Sequence, residues 1–358
     1  MKRLWRLVRW PVAALVLLAA VLAAPIAYVE LACRGGERAA PYRPIITDAA
    51  YRRAEANSYL TYPEWHIVYA YEGLAETLRS SDEHAFDYAS AVAGFWNAYC
   101  ALNEAAQDHG GADAATRQTI YVIGVSFTIE MALKAAYEET AGRLFASLRG
   151  PDKTPQDQVV EAQAAEYAAF LHQTPWYKYP FDAAREKLWA APLIPGARGW
   201  ERRLGIGAEW WTKAAYAGVI DGAVAATGEA QLEIRSVIGG LSAPAARAIP
   251  DLKVVGSSGD RLIIETPRYA RFTEILREVS AKGGIVIEIA GNDDVLISAV
   301  DAAPSPSTLP EGASLLASIP RDGFGDRRVL LGVKVPVLSR VIASMRRGPL
   351  RLEHVYDY

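Results

Sequence analysis

The stretch Glu130-Met-Ala-Leu-Lys134-Ala-Ala-Tyr137 is echoed later in the chain by Glu209-Trp-Trp-Thr-Lys213-Ala-Ala-Tyr216. Both octets place Glu, Lys and Tyr at positions i, i+4 and i+7, which share one face of an α-helix. Each octet lies in a segment that is otherwise poor in charge, so we expect both helices to be largely buried. A buried charge needs a partner. We therefore predict that the two helices pack antiparallel, with Glu130 near Lys213 and Lys134 near Glu209.

The polar residues of the two octets form the main candidate site. They are Glu130, Lys134, Tyr137, Glu209, Lys213 and Tyr216. Such a cluster either fixes the register of a helical bundle or forms a polar site in an apolar cavity, where a shifted pKa would serve acid/base chemistry. No nucleophile, metal-ligand set or oxyanion loop accompanies it in the sequence, which favours the register interpretation. A Glu–Lys pair at i, i+4 is also common on wet helix surfaces.

The composition indicates packed domains and excludes one class of partner. The formal net charge is −3 over 358 residues, and the basic residues are scattered rather than striped, so nucleic acid is not an expected partner. The chain contains 18 Tyr and 9 Trp, which is typical of packed cores because disordered chains are poor in aromatic residues. No motif predicts a cofactor.

The N-terminal segment, residues 1–33, has the pattern of a membrane anchor. Residues 11–29 contain no charge, and a helix of that length spans roughly 28 Å, about the thickness of the hydrocarbon core. Four basic residues precede this run, namely Lys2, Arg3, Arg6 and Arg9, and they predict a cytoplasmic N-terminus. We expect a single-pass inner-membrane protein whose bulk is periplasmic or otherwise extracytoplasmic.

Two other kinds of N-terminal segment are alternatives to an anchor. A cleaved signal peptide has a shorter apolar region, of about 7–15 residues, and a small-residue cleavage site, whereas Pro25 interrupts the best alanine-rich site here. A lipoprotein signal would use Cys33, but it requires an aliphatic residue three positions earlier, where this chain has Glu30. The anchor fits the sequence better than either alternative.

The two cysteines, Cys33 and Cys100, are a candidate disulfide. In an oxidising compartment they can pair, closing a loop of about 67 residues and stabilising the fold by on the order of 4 kcal/mol. The alternative is two unrelated thiols, with Cys100 acting as a small core residue.

Residues 34–57 are predicted to be a polar tether, and residues 58–228 a helical bundle. The first helix is predicted to start with a capping box formed by Thr61 and Glu64. His66, Tyr69 and Glu72 follow closely and form a secondary candidate site. A lone histidine is more often structural than catalytic. A carboxylate-bridged metal site in a bundle needs two Glu-x-x-His motifs, which the five histidines do not supply, so no metal is predicted.

The first octet belongs to a helix of unusual composition. Its run 119–133 is apolar on nearly all sides except at Glu130, which predicts a helix surrounded by other helices. A second membrane span is the alternative. It is disfavoured because Glu130 and Lys134 would each cost about 2.5–3.5 kcal/mol at the bilayer centre.

Residues 229–358 are predicted to form an α+β sheet domain, because the apolar period changes there from 3.6 to 2. The elements as far as residue 289 follow the order β-α-β-β-α-β, the split βαβ plan of ferredoxin-like domains. Further strands near 295–300, 314–319, 328–335 and 350–356, with a helix at 336–347, add to that sheet or form a half-repeat of it. The predicted fold class is thus α+β, with a transmembrane helix, an all-α bundle and a ferredoxin-like domain with extra strands.

Two functions are compatible with these patterns. The first is a membrane-anchored envelope protein that binds a protein, a lipid or an envelope component. The second is an envelope enzyme that uses the Glu/Lys/Tyr cluster, or His66 with Glu72, in a bundle pocket. A haem or metal carrier is a third, less supported function. A cavity of several hundred Å³ at either set of residues would favour the enzyme, and a solid core would favour the binding protein.

Overall fold

The structure is a computed structural model that describes residues 2–36, 42–227 and 232–358. Its α-helices are α1 (Lys2–Ala32), α2 (Ala56–Leu60), α3 (Tyr62–Ser80), α4 (Tyr88–Asp108), α5 (Ala114–Tyr137), α6 (Arg143–Arg149), α7 (Pro155–Leu171), α8 (Phe181–Ala190), α9 (Arg198–Thr227), α10 (Ala243–Arg247), α11 (Ala270–Ala281) and α12 (Val335–Met345). Its strands are β1 (Glu233–Gly239), β2 (Lys253–Ser258), β3 (Arg261–Pro267), β4 (Ile285–Ile289), β5 (Asp294–Asp301), β6 (Ala313–Pro320), β7 (Arg327–Lys334) and β8 (Leu350–Val355). The prediction of an α+β chain is confirmed.

Two predicted boundaries fall on residues that the structure does not describe. Residues 37–41 belong to the predicted tether, and residues 228–231 contain the predicted border between the bundle and the sheet domain. On the described side of that border, the regular elements up to Thr227 are helical and the first strand begins at Glu233.

The helices α3, α4, α5, α7 and α9 form the helical core through successive neighbour contacts. Large aromatic side chains fill it, including the fully buried Tyr62, Phe95 and Phe127. The predicted capping box at the start of α3 is wrong. Thr61 has helical backbone angles because α2 leads directly into α3, and its hydroxyl donates instead to the carbonyl oxygen of Asn57, at 2.8 Å.

The helix that carries the first octet continues past its predicted end. A π-helical turn, Glu138–Gly142, joins α5 to α6, so Ala114–Arg149 is one nearly continuous helix. Among the described residues, this helix alone is long and apolar enough to cross a membrane, and 22% of its most apolar window is buried. The described part of α1 contains a shorter apolar run, Ala19–Ala32.

The sheet region contains two separate four-stranded sheets. Their strand orders are β2-β3-β1-β4 and β6-β7-β5-β8, and every neighbouring pair is antiparallel. If the four strands of each sheet are numbered along the chain, both sheets have the same strand order. The extra strands therefore form a second sheet, in which the loop 302–312 stands where the first half has α10.

Strand β5 joins the two regions of the molecule, because all of its residues are buried. Successive strand side chains point to opposite faces. Leu296 accordingly belongs to the core of the helical region, while Val295 and Ile297 belong to the core between the sheets and helices α11 and α12. Ser58 of α2 fixes this junction, since its hydroxyl donates to the carbonyl oxygen of Tyr356 at 2.7 Å and accepts from the amide of Leu296 at 2.9 Å.

The described part of the predicted tether, residues 42–57, lies against the first sheet. The amide of Ile46 donates to the buried carboxylate of Glu288 at 2.8 Å, and the hydroxyl of Tyr42 donates to the same side chain at 3.1 Å. The amide of Arg53 donates to the carbonyl oxygen of Ala290 at 2.9 Å. These contacts position α2 beside β5.

Candidate functional site

The two octets meet through their charged residues. Lys213 Nζ lies 2.6 Å from a carboxylate oxygen of Glu130. Lys134 Nζ lies 2.8 Å from Glu209, which is also 3.1 Å from Lys213, one turn away on α9. The helices α5 and α9 therefore run antiparallel, with their Glu and Lys residues paired crosswise as the repeated spacing predicts.

The octet tyrosines do not join this cluster, contrary to the prediction. Antiparallel helices put the two Glu–Lys pairs at the centre of the crossing, and the tyrosines then lie toward opposite ends. Tyr137 donates to Glu201 and lies against Gly205, where an added Cβ would clash with the tyrosine hydroxyl. Tyr216 is 51% exposed, and its ring packs 5.4 Å from that of Trp176.

A tyrosine from a third helix takes their place. The hydroxyl of Tyr71, on α3, donates to Glu130 and accepts from Lys213 Nζ at 2.8 Å. The same ammonium lies 4.9 Å from the centre of the Tyr71 ring, a favourable cation–π distance. The sequence contains no local signal for this contact, because Tyr71 is separated from both octets and from any copy of their spacing.

The cluster is partly buried rather than fully buried. Side-chain exposure ranges from 12% at Lys134 to 32% at Glu130. Burial disfavours the Glu209 carboxylate, but the adjacent Lys134 and Lys213 ammonium groups more than offset this effect and lower the pKa of Glu209 to about 2. The Glu209 carboxylate therefore remains ionised at neutral pH.

The space around the cluster is too small for a substrate. The enclosed cavity has a volume of about 20 Å³ and is lined by Tyr71, Lys134, Tyr167, Glu209 and Lys213 together with apolar neighbours. A volume of this size holds about one water molecule. Acid/base chemistry on a bound molecule would require the helices to separate.

The expectation that both octet helices are buried is wrong for their outer sides. Leu133 on α5 is 67% exposed, and Trp211 on α9 is 60% exposed. An all-round apolar helix can be surrounded by other helices, but it can equally border another apolar environment. The sequence pattern does not distinguish between these two surroundings.

Of the secondary candidates, Tyr69 and Glu72 share a partner, whereas His66 does not. Arg328 lies 3.4 Å from the centre of the Tyr69 ring and 3.7 Å from Glu72. His66 lies 2.8 Å from the carbonyl oxygen of Ala91 through Nε2, and burial lowers its pKa to about 4. Tyr69 lies 3.2 Å from the hydroxyl of Tyr356. Glu72 pairs with His172 at 2.6 Å. The structure therefore brings Tyr69 and Glu72 together around Arg328, while His66 lies apart from them against α4.

A larger ionic network at the start of α9 was missed by sequence reasoning. Arg202 is fully buried and lies 2.9 Å from Glu83 and 3.1 Å from Glu138. Arg198 beside it is 2.9 Å from Asp157. Charge is visible in the sequence at Glu201-Arg202-Arg203, but the acidic partners come from three separate segments. Their pairing is long-range and has no spacing signal.

The structure joins Cys33 and Cys100 in a disulfide bond with a Cα–Cα distance of 5.1 Å. The bond connects the end of α1 to α4, and the side-chain amide of Asn103 donates to the carbonyl oxygen of Cys33 at 2.9 Å beside it. Among the described residues, one group of potential metal ligands has suitable spacing, namely Cys33, Cys100 and Glu104. Its two sulfur atoms are already used by the disulfide.

Comparisons with known proteins identify no similar protein. No protein-family model, no curated protein and no solved structure matches this chain.

Proposed function

We propose that this chain is a membrane-anchored envelope protein that works by binding rather than by catalysis. In this proposal α1 crosses the plasma membrane once through residues 11–29, with the basic N-terminus in the cytoplasm. The helical and sheet regions lie on the extracytoplasmic side. The partner is a protein, a lipid or another envelope component.

The small volume of the cavity beside the octet residues is the main support for binding over catalysis. A catalytic pocket typically encloses 300–1,000 Å³, whereas the Glu–Lys cluster encloses about 20 Å³. In the proposed function the cluster fixes how α5 and α9 align, because a mismatched register would leave partly buried charges without partners. The alternative function is an envelope enzyme that opens this cluster, or the His66 and Glu72 environment, to a substrate.

The disulfide supports the proposed location. Disulfides persist in oxidising compartments and are rare in the cytosol. Cys33 lies only a few residues after the predicted span, so its bond to Cys100 would form on the extracytoplasmic side. It would also hold α4 next to the point where α1 leaves the membrane.

The sheet region supports a binding role by analogy. We propose that each half follows the ferredoxin-like plan, since a split βαβ unit gives the antiparallel order seen in both sheets. Modules of this kind serve many functions, so the analogy is to the fold and to binding in general. Strand β2 is an edge strand of the first sheet, with Val255 44% exposed, and offers a free edge for a partner strand.

The experiment is affinity capture with the full chain from detergent-solubilised membranes, followed by mass spectrometry of proteins and lipids. A matched variant, Lys134→Met with Glu209→Met, removes the octet pair while keeping two side chains of similar length. We expect the same partner with both chains, because the cluster is structural. Loss of the partner in a folded variant contradicts the structural role of the cluster. A wild-type chain that chemically alters the captured molecule contradicts the binding role.

A further inference from the structure

The outer sides of α5, α6 and α9 form one apolar face, named here the outer face. It contains Val122, Ile129 and Leu133 on α5, Leu144 and Leu148 on α6, and Leu204, Trp211 and Val219 on α9, which are between 40% and 68% exposed. Along each helix these residues recur at helical spacing, so their side chains lie on one side of that helix. Apolar surface gathered in this way marks an interaction site in a water-soluble protein or a membrane contact.

The hydroxyl groups and the octet charges on these helices have partners within the protein, whereas the charged residues Glu139, Arg143 and Asp221 are exposed. The hydroxyls of Thr140, Ser147 and Thr212 each donate to the carbonyl oxygen four residues earlier on the same helix. The four octet charges turn inward and pair with one another. Hydrocarbon requires such internal partners, since a polar group there has no water to bond. The exposed Glu139, Arg143 and Asp221 must therefore lie at the lipid headgroups or in water.

The outer face is continuous with α1. Glu30 of α1 accepts from the hydroxyl of Tyr121 at 2.5 Å and lies 3.9 Å from Arg117. One turn earlier on α1, Ile26 lines a groove of about 640 Å³ together with Val122 and Val125. Helix α5 therefore starts beside the end of the predicted span.

The borders and the opposite side of this part of the molecule are polar. Arg203 lies 5.5 Å from the ring of Trp189 and 5.6 Å from that of Trp200, at the end of the outer face away from α1. Tryptophan and arginine are enriched at membrane–water interfaces. Behind the outer face, Lys187 of α8 and Glu166 of α7 form an exposed pair at 3.5 Å, as expected for a surface in water.

We infer that the outer face is immersed in the leaflet into which α1 emerges, in contact with phospholipid acyl chains. This inference rests on the proposed anchoring by α1. The repeated octets then have a further purpose, because each keeps its charges on the protein side of a helix whose other side meets lipid. In this inference the helical bundle lies partly in the membrane, rather than being tethered by α1 and fully surrounded by water.

The test uses the full chain in phosphatidylcholine–phosphatidylglycerol vesicles with one fluorophore attached at a new cysteine. The native cysteines are paired and do not react. The labelled variants are Leu133→Cys and Val219→Cys on the outer face, Leu17→Cys on α1, and Glu166→Cys on α7 as the water-facing control. Nitroxides on lipid acyl chains report contact with hydrocarbon, and iodide reports contact with water.

We expect strong lipid-nitroxide quenching and weak iodide quenching at positions 17, 133 and 219, with the reverse at 166. Lipid quenching at 17 without quenching at 133 and 219 overturns the inference and leaves the anchor intact. Protection from both quenchers at 133 and 219 means that protein, such as a second copy of the chain, covers the face, and this also overturns it. Iodide quenching at position 17 would contradict the proposed membrane anchor.

Discussion

The helical region and the sheet region differ in how much of their apolar side chains is exposed. Every residue of β5 is buried, and both faces of that strand meet protein. Helix α5 has an equally apolar sequence, yet Leu133 is 67% exposed. The comparison shows that the apolar side chains of β5 are enclosed by protein on both faces, whereas those on the outer side of α5 are exposed. Four predictions test this difference, beginning with the largest effect.

The largest effect is expected at Arg202, which supports the interior of the helical region. Arg202→Met leaves Glu83, Glu138 and Glu201 buried around an uncharged side chain, and removing one partner of a buried ion pair costs about 3–5 kcal/mol. Denaturant unfolding of the full chain in detergent measures it. The matched control is Arg79→Met, because Arg79 is 67% exposed in its pair with Glu76 and its loss should change stability by under about 1 kcal/mol. Equal effects of the two substitutions contradict the account.

The second prediction compares one substitution in the two regions. Leu331→Ala, at a fully buried position of β7, should destabilise by about 2–5 kcal/mol through lost burial and a cavity. Leu133→Ala, at an exposed position of α5, should change the free energy of unfolding by under about 0.5 kcal/mol in detergent. Denaturation curves of both variants give the comparison. A large loss at Leu133 would show that its side chain is covered by protein.

These predictions depend on features that the sequence shows to very different extents. The alternation of apolar residues predicts the strands of the sheet region and their chain order, because a strand pattern is local. The separation into two sheets depends on which strands pair, and β5 pairs with β7 and β8 across many residues. No local pattern contains that choice.

The candidate site shows the same limit. The crosswise pairing of Glu130 with Lys213 follows from two equal spacings on antiparallel helices. The exclusion of Tyr137 and Tyr216 follows from where the helices cross, which spacing does not give. Tyr71 and Arg202 enter through contacts between distant segments. Exposure of the outer face is invisible in the sequence because lipid and protein interior select the same side chains.

The third prediction concerns the octet pair. Lys134→Met should destabilise by about 1–3 kcal/mol, between the values for buried and exposed pairs, because its partner Glu209 is 23% exposed. Thermal melts of the full chain measure the loss. Lys187→Met is the matched control, since its pair with Glu166 is mostly exposed. A shift within error for Lys134→Met would reduce the repeated octets to a coincidence.

The smallest effect is a pH dependence from His66. Its pKa is about 4 in the folded chain because burial disfavours the charged ring, and about 6.5 when unfolded. The unfolded state thus binds more protons between these values, so stability is complete above about pH 6.5 and is lost as the pH falls toward 4. The loss from pH 7.5 to 5.5 should be about 1 kcal/mol. His66→Gln should reduce the pH slope of the unfolding free energy, and an unchanged slope would contradict the assignment.

Two exposed leucines, one from each region, provide the most direct test of the central claim. Leu133 lies on the outer face, and Leu315 lies on β6 and is 51% exposed. A nitroxide at each position, in the full chain in bilayers, reports by power-saturation electron paramagnetic resonance its access to oxygen, which concentrates in hydrocarbon, and to a nickel chelate, which stays in water. We predict that oxygen dominates at position 133 and nickel at position 315. Dominance of nickel at both positions would contradict membrane contact by the helical region.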